Sequence, residues 1–236
     1  MVGASDKQLP TRDTMEKTTT EHTEGETTMT DGESIAESFT KTTSQNRSET
    51  RNEKNRETIV QATYKRRTDL KNTYAYMGSL MTFLVEGRDT GGQFALVEYR
   101  AKPGNEPPPH WHEVEDETFY VLEGEMEAYL GDQVLRIGPG ETLFIPHGEP
   151  HAWYILSPSF RALIMVSPAQ LDSYFRQMSQ PTETLELNDD AVTYAMSDPQ
   201  HAIELGAKYG TYFLTPEQTK KAFPKYAGFG VKKVNP

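Results

Sequence analysis

Cysteine is absent from the 236 residues, and that one absence removes disulfide frameworks, Cys-ligated zinc, iron–sulfur clusters and thiol nucleophiles together. Any metal must be held by histidine and carboxylate. Positive charge is also scarce: 24 Lys and Arg face 35 Asp and Glu, for a formal charge of -11 and a pI near 5.1. Nucleic acid and anionic membranes both call for the opposite sign, so neither is an expected partner. No apolar run approaches the length that spans a bilayer. The N-terminus lacks the apolar stretch of a secretory signal, and Asp6, Asp13 and Glu16 speak against a transit peptide. A cytoplasmic protein is the expectation.

Hydrophobicity is missing from one end of the chain. Up to about Glu57 the residues are Thr, Glu, Ser, Asn and Lys, with Phe39 the only aromatic before Tyr64 and roughly 12 acidic against 8 basic side chains. Such a composition cannot bury enough apolar surface to offset its ordering entropy, and a disordered tail over residues 1–58 is expected. The tail accounts for about -4 of the charge and the remainder of the chain for about -7.

From Ile59 onward, β-branched and aromatic residues come in short runs. Strands are expected over 74–86, 93–102, 117–123, 125–130, 134–137, 142–145, 151–156 and 161–166. The breaks between them are turn chemistry, such as Thr90-Gly91-Gly92, Gly138-Pro139-Gly140 and His147-Gly148. Eight short strands without intervening helices imply an all-β antiparallel barrel or sandwich over 59–167. After Ser167 the periodicity changes. Leu171, Tyr174, Phe175 and Met178 recur at helical spacing, and further helices are expected over 199–209 and 216–223. Residues 168–236 thus read as a helical extension packed on the barrel. Its aromatics are too many for a solvated tail.

Four of the six histidines, His110, His112, His147 and His151, lie between Gly104 and Ile155. On an extended chain, residues two apart share a face, so His110 and His112 can bind one ion. Glu117 stands at an odd separation from His112 and would point away on a regular strand. Glu113 to Asp116 must form a turn or bulge if Glu117 is to rejoin the pair, after which Glu117, Phe119 and Val121 share a face. The turn built on Pro146 and Gly148 delivers His151 from a separate strand. His147 occupies that turn and is expected exposed or behind the site. Trp111 has the opposite parity to its histidine neighbours, so it should pack outside the barrel. Glu113, Glu115 and Asp116 are expected to form a solvated acidic turn. Met81 and Phe83, on the first strand, are candidates for the pocket wall.

The segment Gly104 to Gly124 follows the pattern G, five residues, H-x-H, four residues, E, six residues, G, and Gly140 to His151 follows G, five residues, P-x-G, two residues, H. These two motifs resemble those of the cupin superfamily, and the run from Tyr74 through Gly148 is similar to single-domain cupins of the quercetin dioxygenase-like kind. The resemblance implies a jelly-roll β-barrel in which His110, His112, Glu117 and His151 bind one divalent transition metal per chain: iron, manganese, nickel, cobalt or copper. Homodimerisation is the usual habit of the family.

One departure stands out: the second motif normally ends with Asn four residues after its His, where this sequence has Ile155. Trp153 and Ile155 share the face of His151, so a pocket of Phe119, Val121, Trp153, Ile155, Met81 and Phe83 would be apolar and suited to an aromatic small molecule. The leading expectation is an oxygenase or other oxidoreductase acting with O2 on a phenolic, flavonol-like or polyketide substrate that reaches the metal through oxygen. Glu117 would serve as fourth ligand and as the base that takes the phenol proton. The alternatives are an isomerase, lyase or cyclase using the metal as Lewis acid, and a non-catalytic small-molecule binder.

Overall fold

A computed structural model of the protein describes residues 63–188 and 198–231; the expected tail over 1–58 lies outside the described residues. Twelve short strands and four helices follow in order: β1 (Thr73–Tyr76), β2 (Ser79–Val85), α1 (Gly87–Thr90), β3 (Ala95–Ala101), β4 (His110–His112), β5 (Asp116–Glu123), β6 (Met126–Leu130), β7 (Gln133–Ile137), β8 (Thr142–Ile145), β9 (Ala152–Ile155), β10 (Phe160–Ser167), α2 (Leu171–Met178), β11 (Gln180–Pro181), α3 (Pro199–Lys208), β12 (Thr211–Phe213) and α4 (Pro216–Ala222). None of these helices is long and apolar enough to cross a membrane.

The run 74–86 is two strands rather than one. Met77 and Gly78 both take positive φ, 46° and 87°, and reverse the chain into a hairpin that pairs Tyr74 with Met81. A tight reversal at Met-Gly is not strong turn chemistry, which is why alternation alone reads straight through it.

All strand pairings among the described residues are antiparallel. One sheet has the order β11-β1-β2-β3-β10-β5-β8; β12 pairs with β4, and β7-β6-β9 form a third group. An isolated bridge between His110 and His151, closed by N–H···O bonds of 3.1 and 2.9 Å, joins the last two groups. The result is a second layer, β12-β4-β9-β6-β7, facing the first. Alternate residues of β5 and β10 point between the layers, as a half-buried strand requires. There Phe83, Phe119, Val121, Met126, Ile155 and Phe160 form a core with exposures of 0–1%.

Strand β9 is buried on both faces because Phe223 and Tyr226, after α4, cover its outer side. They pack with Trp111, Tyr129 and Tyr154 in a second cluster. Trp111 therefore lies outside the barrel, stacked on Tyr212 with ring centroids 4.9 Å apart. Gly124, which closes the first motif, has φ of 77°, and a Cβ there would lie 2.3 Å from the Ser159 carbonyl oxygen. Only glycine permits this approach of the β5–β6 turn to the start of β10.

Candidate metal centre

His110 and His151 converge because they are directly opposed across an antiparallel bridge, where paired side chains point the same way. His112, two residues along β4, shares the face. A bend at Glu113–Val114 resets the parity, and β5 then presents Glu117 from the facing layer. One ligand atom from each of these four buried residues lies within 4.8 Å of all the others.

The hydrogen bonds behind the imidazoles fix their state. His110 Nδ1 lies 2.8 Å from the Pro108 carbonyl and His151 Nδ1 lies 2.9 Å from that of Glu149. A carbonyl only accepts, so both Nδ1 atoms carry the proton and both Nε2 lone pairs face inward, 3.1 Å apart. Two ring nitrogens facing each other at that distance need a shared proton or a metal ion between them. Glu117 Oε2 lies 3.4 Å from His151 Nε2 and 3.8 Å from His112 Nε2. Neither Glu117 Oε2 nor His112 Nε2 has a hydrogen-bond partner although both are buried. Orphaned buried donors and acceptors are costly, and three neutral nitrogens with one carboxylate oxygen are a donor set that suits a divalent transition metal.

Burial, with the neighbouring His151 and His112 rings, pushes His110 well below its ordinary range, and burial also lowers His112. Burial acts on Glu117 in the opposite sense, but the His112 and His151 imidazoles outweigh it and hold the carboxyl below the usual carboxylate range. His110 and His112 thus favour the neutral form and Glu117 the ionised one.

A cavity of about 30 Å³ adjoins the cluster. Besides His110, His112 and Glu117, its walls include Met81 and Trp153 from the barrel, Tyr174 and Phe175 from α2, and Thr211 and Phe213 from β12. Phe119, Val121, Ile155 and Phe83 do not line it; they are fully buried in the core. Strand parity assigns these four to the interior, but each stands two or more residues further along its strand than the wall residues. At about 3.3 Å per residue, Ile155 is carried roughly 13 Å beyond His151. The space falls far short of the several hundred Å³ of sites for drug-sized ligands. A flavonol-sized molecule does not fit it as it stands. Tyr174, Phe175 and Phe213 come from outside the two motifs, and the short strand Thr211–Phe213 carries no signal beyond its β-branched and aromatic composition.

The acidic turn departs from expectation at one residue. Glu113 is exposed, and Asp116 accepts the His147 backbone N–H and bonds its ring at 2.7 Å, but Glu115 is 1% exposed and neither carboxyl oxygen has a hydrogen-bond partner. Burial, aided by the negative charges of Glu117, Asp172 and Glu113, pushes its carboxyl up to about 7.

The cupin domain family model matches residues 97–167. Quercetin 2,3-dioxygenase of Bacillus subtilis (strain 168) is 30% identical over 96 residues, 41% of this chain but 28% of that enzyme. Dimethylsulfoniopropionate lyase DddQ of Ruegeria pomeroyi is 39% identical over 59 residues, 25% of this chain and 29% of that one. The chain therefore spans less than a third of either relative's length. Among solved structures, the polyketide cyclase RemF of Streptomyces resistomycificus is 26% identical with a TM-score of 0.38, covering 58% of this chain and 96% of that one. The jelly-roll layers, the two motifs and the match over residues 97–167 together make this part of the chain a cupin domain.

Proposed function

We propose that the protein is a metal-dependent cupin oxidoreductase, an oxygenase acting on a small molecule that enters the site through an oxygen atom. The observation that carries the reading is the pair of orphaned atoms, His112 Nε2 and Glu117 Oε2, facing the opposed lone pairs of His110 and His151. A divalent ion held by His110, His112, Glu117 and His151 supplies Lewis-acid binding of that oxygen and, if redox-active, electron exchange with O2. The chain's own groups do the rest. Glu117 is ionised, and its carboxylate would take the proton of a phenol or enol by swinging off the ion as that group enters. Trp153 Nε1 is buried without a hydrogen-bond partner in the cavity wall, so its N–H is available to donate to a substrate oxygen. Met81, Phe175 and Phe213 exclude water. The 30% identity to a quercetin 2,3-dioxygenase supports the oxygenase chemistry.

Elemental analysis of purified protein, coupled to oxygen-electrode screening of phenols, tests the reading. One transition metal per chain and O2 uptake lost in His112→Ala are expected; turnover undiminished in that variant overturns it. The small cavity and the 39% identity to a lyase favour one second reading, carbonyl polarisation with proton transfer by Glu117 and no O2. Turnover that persists under strict anaerobiosis selects it.

A further inference from the structure

Two of the three histidines make their Nδ1 hydrogen bond to the stretch of chain just before them. The carbonyl two residues before each, Pro108 for His110 and Glu149 for His151, accepts the Nδ1 proton. His112 does not do the same. The carbonyl two residues before it belongs to His110 and is already bonded to the His151 N–H at 2.9 Å. The bridge that brings two ligands together thus already engages the carbonyl that would correspond to those of Pro108 and Glu149.

The partner comes from the far end of the chain. Strand β12 pairs with β4 so that Thr211 stands opposite His112 and Phe213 opposite His110. Thr211 Oγ1 lies 3.0 Å from His112 Nδ1 with both residues buried. The placement of β12 is over-determined. The Glu113 N–H bonds the Gly210 carbonyl at 2.8 Å, and the Leu214 N–H bonds that of Pro109 at 2.8 Å. Behind them, Gly206 of α3 approaches so closely that a Cβ would sit 3.0 Å from the Thr211 carbonyl oxygen and 3.3 Å from the Phe213 ring.

We propose that Thr211 is a positioning residue of the metal centre. Its hydroxyl accepts the His112 Nδ1 proton and turns Nε2 inward, so the ligand set of the barrel is complete only with β12 in place. This rests on the metal reading above. A partner of this kind commonly contributes 10- to 100-fold in metal affinity (about 1.4–2.8 kcal/mol).

The test is titration of full-length, chelator-stripped protein with Co2+ against a competing chelator, reading affinity and the visible absorption of the bound ion. Thr211→Val keeps the shape and removes the acceptor; Thr211→Ser keeps the acceptor. Co2+ affinity is expected to fall about 10- to 100-fold in the Val variant with a changed absorption band, and to return to within about threefold of wild type in the Ser variant. In the Zn2+-loaded protein, the third protected imidazole N–H proton signal should be lost in Thr211→Val alone. Wild-type binding with an unchanged Val variant overturns the role of Thr211 and leaves the metal reading standing. No Co2+ binding by wild type overturns both. Equal losses in Val and Ser, with lowered melting temperatures in both, overturn the hydrogen-bond account in favour of packing.

Discussion

Glu106 accepts the backbone N–H of Ile155 at 2.7 Å through one carboxylate oxygen and that of Gly104 at 2.7 Å through the other. It lies 6% exposed in the loop that leads into β4 and ties that loop to β9. At the position where the cupin pattern has Asn, the side chain of Ile155 joins the core and the backbone supplies the polar contact. Glu106→Ala should destabilise the fold by about 1–3 kcal/mol through a buried, unpaired N–H. Glu106→Gln should cost less, since the amide keeps one acceptor. Urea unfolding of the two variants checks the order, and equal stabilities would contradict it.

Glu115 makes stability pH-dependent in the metal-free protein. The folded chain keeps this proton between the ordinary 4.5 and about 7, a window in which the unfolded chain has released it. The native state binds more protons there, so stability falls as pH rises through the window, by up to about 3 kcal/mol. Glu115→Gln has no such proton and should flatten the slope, becoming more stable than wild type at about pH 8. Chelator-treated samples melted across that range give the answer, and parallel pH profiles would refute it.

Gly124→Ala combines a positive φ with an overlap at 2.3 Å. The cost should be roughly 3 kcal/mol or more, read as reduced soluble yield and a lowered denaturation midpoint. A wild-type midpoint would mean that the β5–β6 turn does not approach β10 so closely.

Phe213 stands with its ring centroid 5.9 Å from that of His110 and walls the cavity. Phe213→Ala should admit larger ligands at a stability cost of roughly 2 kcal/mol. Calorimetric titration of the metal-loaded variant with phenols of one and two rings is expected to show about a tenfold gain for the two-ring compounds over wild type. An unchanged size limit would indicate that α2, not β12, sets it.

Trp153 can be separated into ring and N–H. Trp153→Phe keeps the aromatic wall beside His151, to which the indole is parallel within 9°, but loses the donor. Affinity for an oxygen-bearing ligand should fall about fivefold, the value of one hydrogen bond, with little change in melting temperature. Unaltered affinity would place the N–H away from the bound oxygen.

Alternation along β5 and β10, Gly and Pro at the turns and the spacing of His110, His112, Glu117 and His151 are local, and they specified the barrel, most of its strands and the four side chains that meet, but not the β1–β2 hairpin or the short strands β4, β11 and β12. The sequence also required a bend between His112 and Glu117, and the chain bends at Glu113–Val114. Parity misled where depth mattered. It puts Ile155, Phe119, Val121 and Phe83 on the inner face, which they occupy, but says nothing of how far along the strand the cavity reaches. Composition misled at Glu115, because an acidic run reads as solvated unless the element packed over it is known.

By itself the sequence determined a histidine and carboxylate chemistry, since no cysteine was available, and the strand periodicity that carries it. Only the tertiary structure decided the size of the cavity and the partner of His112. Both depend on α2 and β12, whose distance from the motifs along the chain leaves no trace in local pattern. Strand β12 is fixed by its pairing with β4 and α2 by its packing on β1 and α3, relations that exist only once the layers have closed.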